Sequence, residues 1–251
     1  MDILEIMKER HSVRQYKDQA IEPSKREEIN SLINDVNAES ELSIQVFYDE
    51  PKCFDSLMAH YGKFENVKNY IAIVGNKNQQ ETAGYYGEKI VLKCQELGLN
   101  TCWVAMTHGK SKAEIKKGQK LLIIISLGYG ITQGVPHKSK SVAELGKADQ
   151  KTEWFDKGME AVSLAPTAVN QQKFLFELKN GNVTAKNLGG FYSKIDLGIA
   201  KYHFETVTGR EGTLFLCSKV FYYKNCTVWF PCERNKCRKK RYRYRCIRWR
   251  L

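Results

Sequence analysis

Ala165-Pro166-Thr167-Ala168-Val169-Asn170-Gln171-Gln172 places three consecutive carboxamides just after a proline and between two apolar stretches. Before it, residues 154–164 repeat apolar side chains at helical intervals, and Pro166 interrupts that period. After it, Phe174-Leu175-Phe176-Glu177-Leu178, then Asn180-Gly181 and Asn182-Val183-Thr184, form a hairpin signature. Carboxamides are costly to bury unless their donors and acceptors are all met. The octet therefore has two readings: it addresses the polar edge of a planar heterocycle, or its amides cap neighbouring backbone, as they do in turns.

Outward from this stretch the chain alternates helices and strands. A helix is expected from about Asp196 into Glu205. Its Gly198 and Gly209 are spaced like Gly87 and Gly98 of an amphipathic helix expected over 84–98, where Ile90, Val91, Cys94 and Leu97 recur and Gly98 serves as a C-cap. Val169-Asn170 before a strand echoes Val36-Asn37, and together these hint at two related halves. Nearer the start, Ile3, Ile6 and Met7 predict a helix over 2–9, and Pro23-Ser24 begin another through Ile33. Leu42, Ile44, Val46 and Tyr48 alternate as a strand ending before Pro51; 70–74 and 121–127 read as buried strands. The Lys- and Ser-rich residues 134–147 read as an exposed linker.

A chain of 251 residues, 42% hydrophobic, can bury a sizeable core. The first sixteen residues lack the apolar run of a secretory signal, and the run 121–125 is too short to span a bilayer, so a soluble cytoplasmic protein with no membrane contact is expected. The net charge of +12 is unevenly placed. Residues 1–216 carry 28 Lys and Arg against 27 Asp and Glu, while residues 217–251 carry 12 bases against Glu233 alone. Basicity therefore says nothing about the function of the body. Cys53, Cys94 and Cys102 are scattered there and give no disulfide framework; the remaining five cysteines crowd the tail.

Two more clusters bear on chemistry. Arg10, Ser12 and Arg14 in Arg10-His11-Ser12-Val13-Arg14-Gln15-Tyr16 can face one way and offer two cations and a hydroxyl to a phosphate; a solvated basic surface is the other reading. Leu97-Gly98-Leu99-Asn100-Thr101-Cys102-Trp103-Val104 lets backbone approach a ligand, or is simply a helix cap leading into a strand. Gly128-Tyr129-Gly130 is a turn without the surroundings of a phosphate loop. His11, His108 and His203 show no metal-ligand spacing and read as ordinary polar or helix-face residues.

Taken in order, these three segments resemble the nitroreductase family over roughly residues 3–210: its N-terminal flavin-binding motif, its Gly-Leu-rich segment beside the flavin, and its Pro-Ser/Thr-x-x-Asn-x-Gln motif. The resemblance implies an α+β fold with a central, mostly antiparallel sheet flanked by helices. In ordinary members the Asn-containing motif comes early, and two subunits share each flavin. Here it follows the Leu97 segment, which resembles the branch whose single chain mimics the dimer, a pseudodimer with one flavin site between its halves. The implied organisation is a first half over 1–133, a linker over 134–150, a second half over 151–211 and an atypical tail over 212–251.

The same resemblance implies flavin mononucleotide (FMN) as cofactor, NADH or NADPH as donor, and nitroaromatics, quinones or similar small acceptors. Arg10, His11, Ser12 and Arg14 would serve the phosphate and ribityl chain; Thr101 and Cys102 would lie near the reactive nitrogen; Pro166, Thr167, Ala168, Asn170 and Gln171 would address the ring. Chemistry on the cofactor leaves no protein residue with a catalytic role, and Cys102 is expected to pack rather than attack. The chain would act as a monomer or weak homo-oligomer. From about Gly212 it departs from the family: Arg238-Lys239-Lys240-Arg241-Tyr242-Arg243-Tyr244-Arg245 interleaves cations with aromatics, as a nucleic-acid-binding arm would, and its cysteine gaps fit no zinc template. The alternative function is thus nucleic-acid binding through the tail; the preferred reading is that the tail is foreign to the fold, such as frameshifted read-through.

Overall fold

A four-stranded antiparallel sheet organises the first part of the chain in the order β1-β2-β4-β3, from β1 (Ser43–Phe47), β2 (Asn69–Gly75), β3 (Asn100–Val104) and β4 (Lys120–Gly128). The computed structural model describes residues 2–210, so the tail expected over 212–251 lies outside the described residues. Every residue of β2 is buried, because both faces of the sheet are covered. Ile71 and Ile73 join a core with Ile29, Ile90 and Ile125, while Tyr70 and Ala72 join a second with Val13, Phe54, Cys102 and Ile124. This is why β2 and β4 read as continuous apolar runs instead of alternating ones.

Helix α1 (Ile3–Glu9) buries Leu4, Ile6 and Met7. Helix α2 (Pro23–Ser40) starts on Pro23, whose missing N–H is not needed there, and runs past the expected end at Ile33. Val36 and Ser40 continue the buried stripe of Ile29 and Ile33; exposed Asn34, Asp35 and Glu39 hide that period in the sequence. Asn37 then holds the outer edge of β1: Ile44 N–H donates to its Oδ1 at 2.7 Å and its Nδ2 donates to Ile44 O at 2.9 Å. A short helix, α3 (Leu57–Tyr61), fills part of the β1–β2 connection. Helix α4 (Gln80–Glu96) ends in a Schellman motif, with Gly98 at φ 75°, its N–H on Gln95 O and the Leu99 N–H on Cys94 O, both 2.9 Å.

The stretch expected as linker carries structure of its own, α5 (Val142–Leu145) and β5 (Gly146–Ala148), because Leu145 is fully buried and β5 pairs parallel with β6. Helix α6 (Glu153–Ser163) leads to the hairpin of β6 (Phe174–Lys179) and β7 (Asn182–Asn187), whose turn residues Asn180 and Gly181 have φ of 51° and 74°. Both positive, they match the type I′ geometry that the Asn-Gly pair favours. Helix α7 (Ser193–Thr208) follows and is buried along most of its length.

Helices α4 and α7 touch backbone to backbone. A Cβ on Gly84 would lie 2.0 Å from Ile195 O, and one on Gly198 would lie 2.0 Å from Glu81 O. Each glycine thus meets the carbonyl three residues before the other. Gly98 and Gly209 both end their helices in the left-handed region, at φ 75° and 65°, while Gly87 is not part of the seam: a Cβ there would strike the Trp103 ring at 2.4 Å. The echo of Val36-Asn37 in Val169-Asn170 dissolves. The first pair is helical and braces β1, whereas the second sits in the left-handed region at φ 47° and 53°.

Candidate functional site

After α1 the chain runs alongside β3 in extended form. Ser12 bridges Thr101 in parallel, Val13 N–H donates to Thr101 O at 3.0 Å, and the Tyr16 hydroxyl donates to Val13 O and pairs with Ser126 Oγ, each at 2.7 Å. The alternation that this imposes buries Val13 between Ser12 and Arg14, which face the other way and line a cavity of about 180 Å³; Tyr16, past the alternating stretch, is buried by its own hydroxyl contacts. Arg10 departs from the expected common face: it is 3% exposed and turned inward. Its Nε stands 3.7 Å from Glu88 Oε1, within ion-pair distance but too long for a hydrogen bond, so Nε and Nη1 are buried without a hydrogen-bond partner.

Glu88 is a hub that sequence reading missed. Wholly buried on α4, its Oε1 is 2.9 Å from His203 Nε2 and its Oε2 accepts from Trp103 Nε1 at 3.0 Å. Burial alone would push this carboxyl up, but the His203, Arg10 and Trp103 groups together hold it below the ordinary range. His203, expected as an ordinary polar residue, is fully buried, with Nδ1 2.9 Å from Ala161 O. Four segments remote in sequence are tied together in this way, and with them the placement of Arg10.

The opposite wall is the Ala165 loop. Pro166, Thr167, Ala168 and Val169 line the cavity, with Val169 at φ 47°, Asn170 at 53° and Gln172 at 41°. A left-handed β-branched residue, 85% exposed, stores strain of the kind that collects at binding sites. The loop is held from below by Asp196 of α7, whose Oδ1 accepts from Ala168 N–H at 2.9 Å and Oδ2 from Gln171 Nε2 at 2.7 Å. Burial raises this carboxyl to about 6 against those two hydrogen bonds. The amides themselves are met within the chain: Asn170 Nδ2 donates to Lys138 O at 2.9 Å, Gln171 Nε2 also to Phe191 O at 2.6 Å, and Gln172 Nε2 to Ser163 O at 3.0 Å. Within the chain the amide N–H groups of the octet are thus engaged by backbone carbonyls and by Asp196.

Of the residues expected at the site, Ser12, Arg14, Cys102, Pro166, Thr167 and Ala168 come together on one cavity. Arg10, His11, Thr101, Asn170 and Gln171 stand behind or beside them and do not line it. Burial, together with the Arg10 charge, pushes the His11 ring down. Trp103, Ala105, Ile123, Phe191, Tyr192, Ile195, Asp196 and Ile199 complete the lining; only the helical spacing of Ile195 and Ile199 with Asp196 between them could have suggested any of these in advance. Burial also pushes the Cys102 thiol up, against the pull of Arg14 and Ser12, which suits packing. Among the described residues no group of His, Cys, Asp and Glu could hold a metal ion, and no helix is long and apolar enough to cross a membrane.

A mostly antiparallel α+β arrangement flanked by helices, with extended chain laid along β3 at the cavity, is the nitroreductase fold. The chain belongs to the family described as "Putative TM nitroreductase", whose sequence model matches residues 2–208. It is similar to the crystal structure of a "putative nitroreductase" from Thermotoga maritima, at 24% identity and TM-score 0.60, with 84% of this chain and 85% of that one covered. An FMN-dependent nitroreductase from Clostridium difficile matches at 22% identity and TM-score 0.41, over 56% of this chain and 92% of that one. A nitroreductase-type protein from Desulfovibrio desulfuricans, solved in complex with FMN, matches at 16% identity and TM-score 0.45, over 57% and 94%. No curated protein matches the chain.

Proposed function

We propose that this chain is an FMN-dependent oxidoreductase that passes electrons from NADH or NADPH to nitroaromatic, quinone or similar small acceptors. One observation carries the reading: in a chain of the nitroreductase family, Ser12, Arg14 and Cys102 share a single cavity with Pro166, Thr167 and Ala168.

The residues present suit the cofactor. Arg14 and Ser12 offer a cation and a hydroxyl at the cavity itself, and behind them the buried Arg10 guanidinium, with Nε and Nη1 free of hydrogen-bond partners, adds positive charge. In this reading Ser12 and Arg14 hold the phosphate and ribityl chain, with Arg10 behind them facing Glu88 and His11 packed beside them against Gly134. The Thr101-Cys102 backbone supports the reactive side of the ring, and Pro166, Thr167 and Ala168 cover its polar edge. Asn170 and Gln171 keep that loop in shape. Bound flavin supplies the hydride chemistry, so the chain's own work is to bind, orient and exclude water.

The reciprocal contacts of Gly84 with Ile195 and of Gly198 with Glu81 support reading 1–133 and 151–211 as two related halves, joined through 134–150 and forming one site in a single chain that acts as a monomer or weak homo-oligomer in the cytoplasm. The test is direct: full-length protein mixed with FMN and desalted stays yellow, and the colour bleaches anaerobically with a nicotinamide nucleotide. Arg14→Ala weakens FMN binding by about tenfold or more, the scale of one charge-assisted hydrogen bond. Colourless protein after desalting would refute the reading.

A further inference from the structure

Phe191 and Tyr192 line the cavity just described and also line a second, larger one. This neighbour is an open groove of about 700 Å³, bounded by Lys77 after β2, Lys120 at the start of β4 and Lys194 in the first turn of α7. Its lining includes three lysines and no carboxylate. Among the described residues none of these three ammonium groups makes an ion pair. Glu81 and Asp196, the acidic residues nearest along the chain to Lys77 and Lys194, are engaged elsewhere: Glu81 accepts from Lys201 Nζ at 2.6 Å, and Asp196 from Ala168 and Gln171. Cations gathered around a concave space without counter-charge create a positive potential that a polyanion relieves. Leu121, Leu122 and Phe191 add apolar surface of the kind a purine face takes.

The two cavities also differ in sign of use. Arg14 and Ser12 belong to the smaller one alone, and the three lysines to the larger one alone. The phosphate proposed for the flavin therefore has its own donors, and the groove is left for a different anion that must reach the shared aromatic wall. We propose that the groove binds the phosphate-bearing part of the nicotinamide nucleotide, and that its third positive charge makes the chain prefer NADPH to NADH. A diphosphate bridge carries two negative charges and leaves one lysine unanswered; a 2′-phosphate, carrying roughly −1.5 to −2 at neutral pH, answers it. The inference rests on the flavin reading of the adjoining cavity.

Calorimetric titration of the full chain with adenosine 2′,5′-bisphosphate, ADP and adenosine tests it without needing turnover. The bisphosphate binds tightest and adenosine weakest, and the difference shrinks as salt rises. The three lysines are exposed, so K77A/K120A/K194A folds as the parent does, which its melting curve checks. This variant loses roughly 30-fold or more in bisphosphate affinity, about three- to fivefold per lysine. In the flavin-loaded protein the ratio of kcat/KM for NADPH to that for NADH falls toward one. Equal binding of the three ligands, or bisphosphate affinity unaltered in the triple variant, overturns the groove; a parent that already turns over NADH as well as NADPH overturns the preference. Colourless protein whose lysines still govern bisphosphate binding would refute the flavin reading while upholding the groove as a phosphate site.

Discussion

The two sheets of this chain are buried to different depths. In the four-stranded sheet β2 has every residue buried between two cores, whereas in the three-stranded sheet of β5, β6 and β7 the last strand alternates exposed with half-buried positions. Phe174, Phe176 and Leu178 of β6 supply the inward face of the smaller sheet, and Phe176 meets Phe204 of α7 with ring centroids 5.4 Å apart. The first sheet is thus a core in its own right, and the second is a leaf held against α7. What binds the two into one core is the α4–α7 seam, where helix backbones meet at Gly84 and Gly198.

That seam is the place where the comparison breaks most completely. Gly84→Leu drives a branched side chain into Ile195 O, a backbone atom that cannot turn aside, and the expected result is loss of any cooperative urea transition. Within the sheets, Ile71→Ala in β2 costs about 2–5 kcal/mol by urea unfolding, since the site is walled on all sides and cannot collapse.

Next in size is the carboxylate beneath the Thr167 loop. Asp196 titrates at about 6 in the folded chain against an ordinary 3.8, so the folded state holds this proton more tightly than the unfolded state. Its contribution to stability is complete below about pH 4, falls as pH rises toward about 6 and is flat above, for a loss of up to about 3 kcal/mol. Asp196→Asn removes that downward slope from a plot of unfolding free energy against pH; a slope that persists in the variant would assign the effect to another group. The smallest effect falls on the leaf: Val183→Ala in β7, half-buried, costs under about 1 kcal/mol, and a loss as large as that of Ile71→Ala would erase the distinction between the sheets.

Much of the fold was legible because its signals are local. Pro23 at a helix start, Gly98 past a helix end, Asn180-Gly181 in a hairpin and the buried runs of β2 and β4 each declare themselves within a few residues. The end of α2 was missed because its last turns show polar residues outward and only Val36 and Ser40 inward. Residues 134–150 read as linker from sequence because β5 has no apolar pattern of its own and exists through pairing with β6.

By itself the sequence determined most of the longer elements and the family, the latter through three segments whose residue types carry their chemistry wherever they stand. Only the tertiary structure decided which of those residues meet. Arg10 turns to Glu88 and leaves Ser12 and Arg14 at the cavity, the Asn170 and Gln171 amides turn to the chain, and Asp196 enters beneath the loop. The physical reason is distance along the chain: Glu88 and His203 are 115 positions apart and Gly84 touches Ile195, and contacts of that separation obey packing and buried charge, which no local period records.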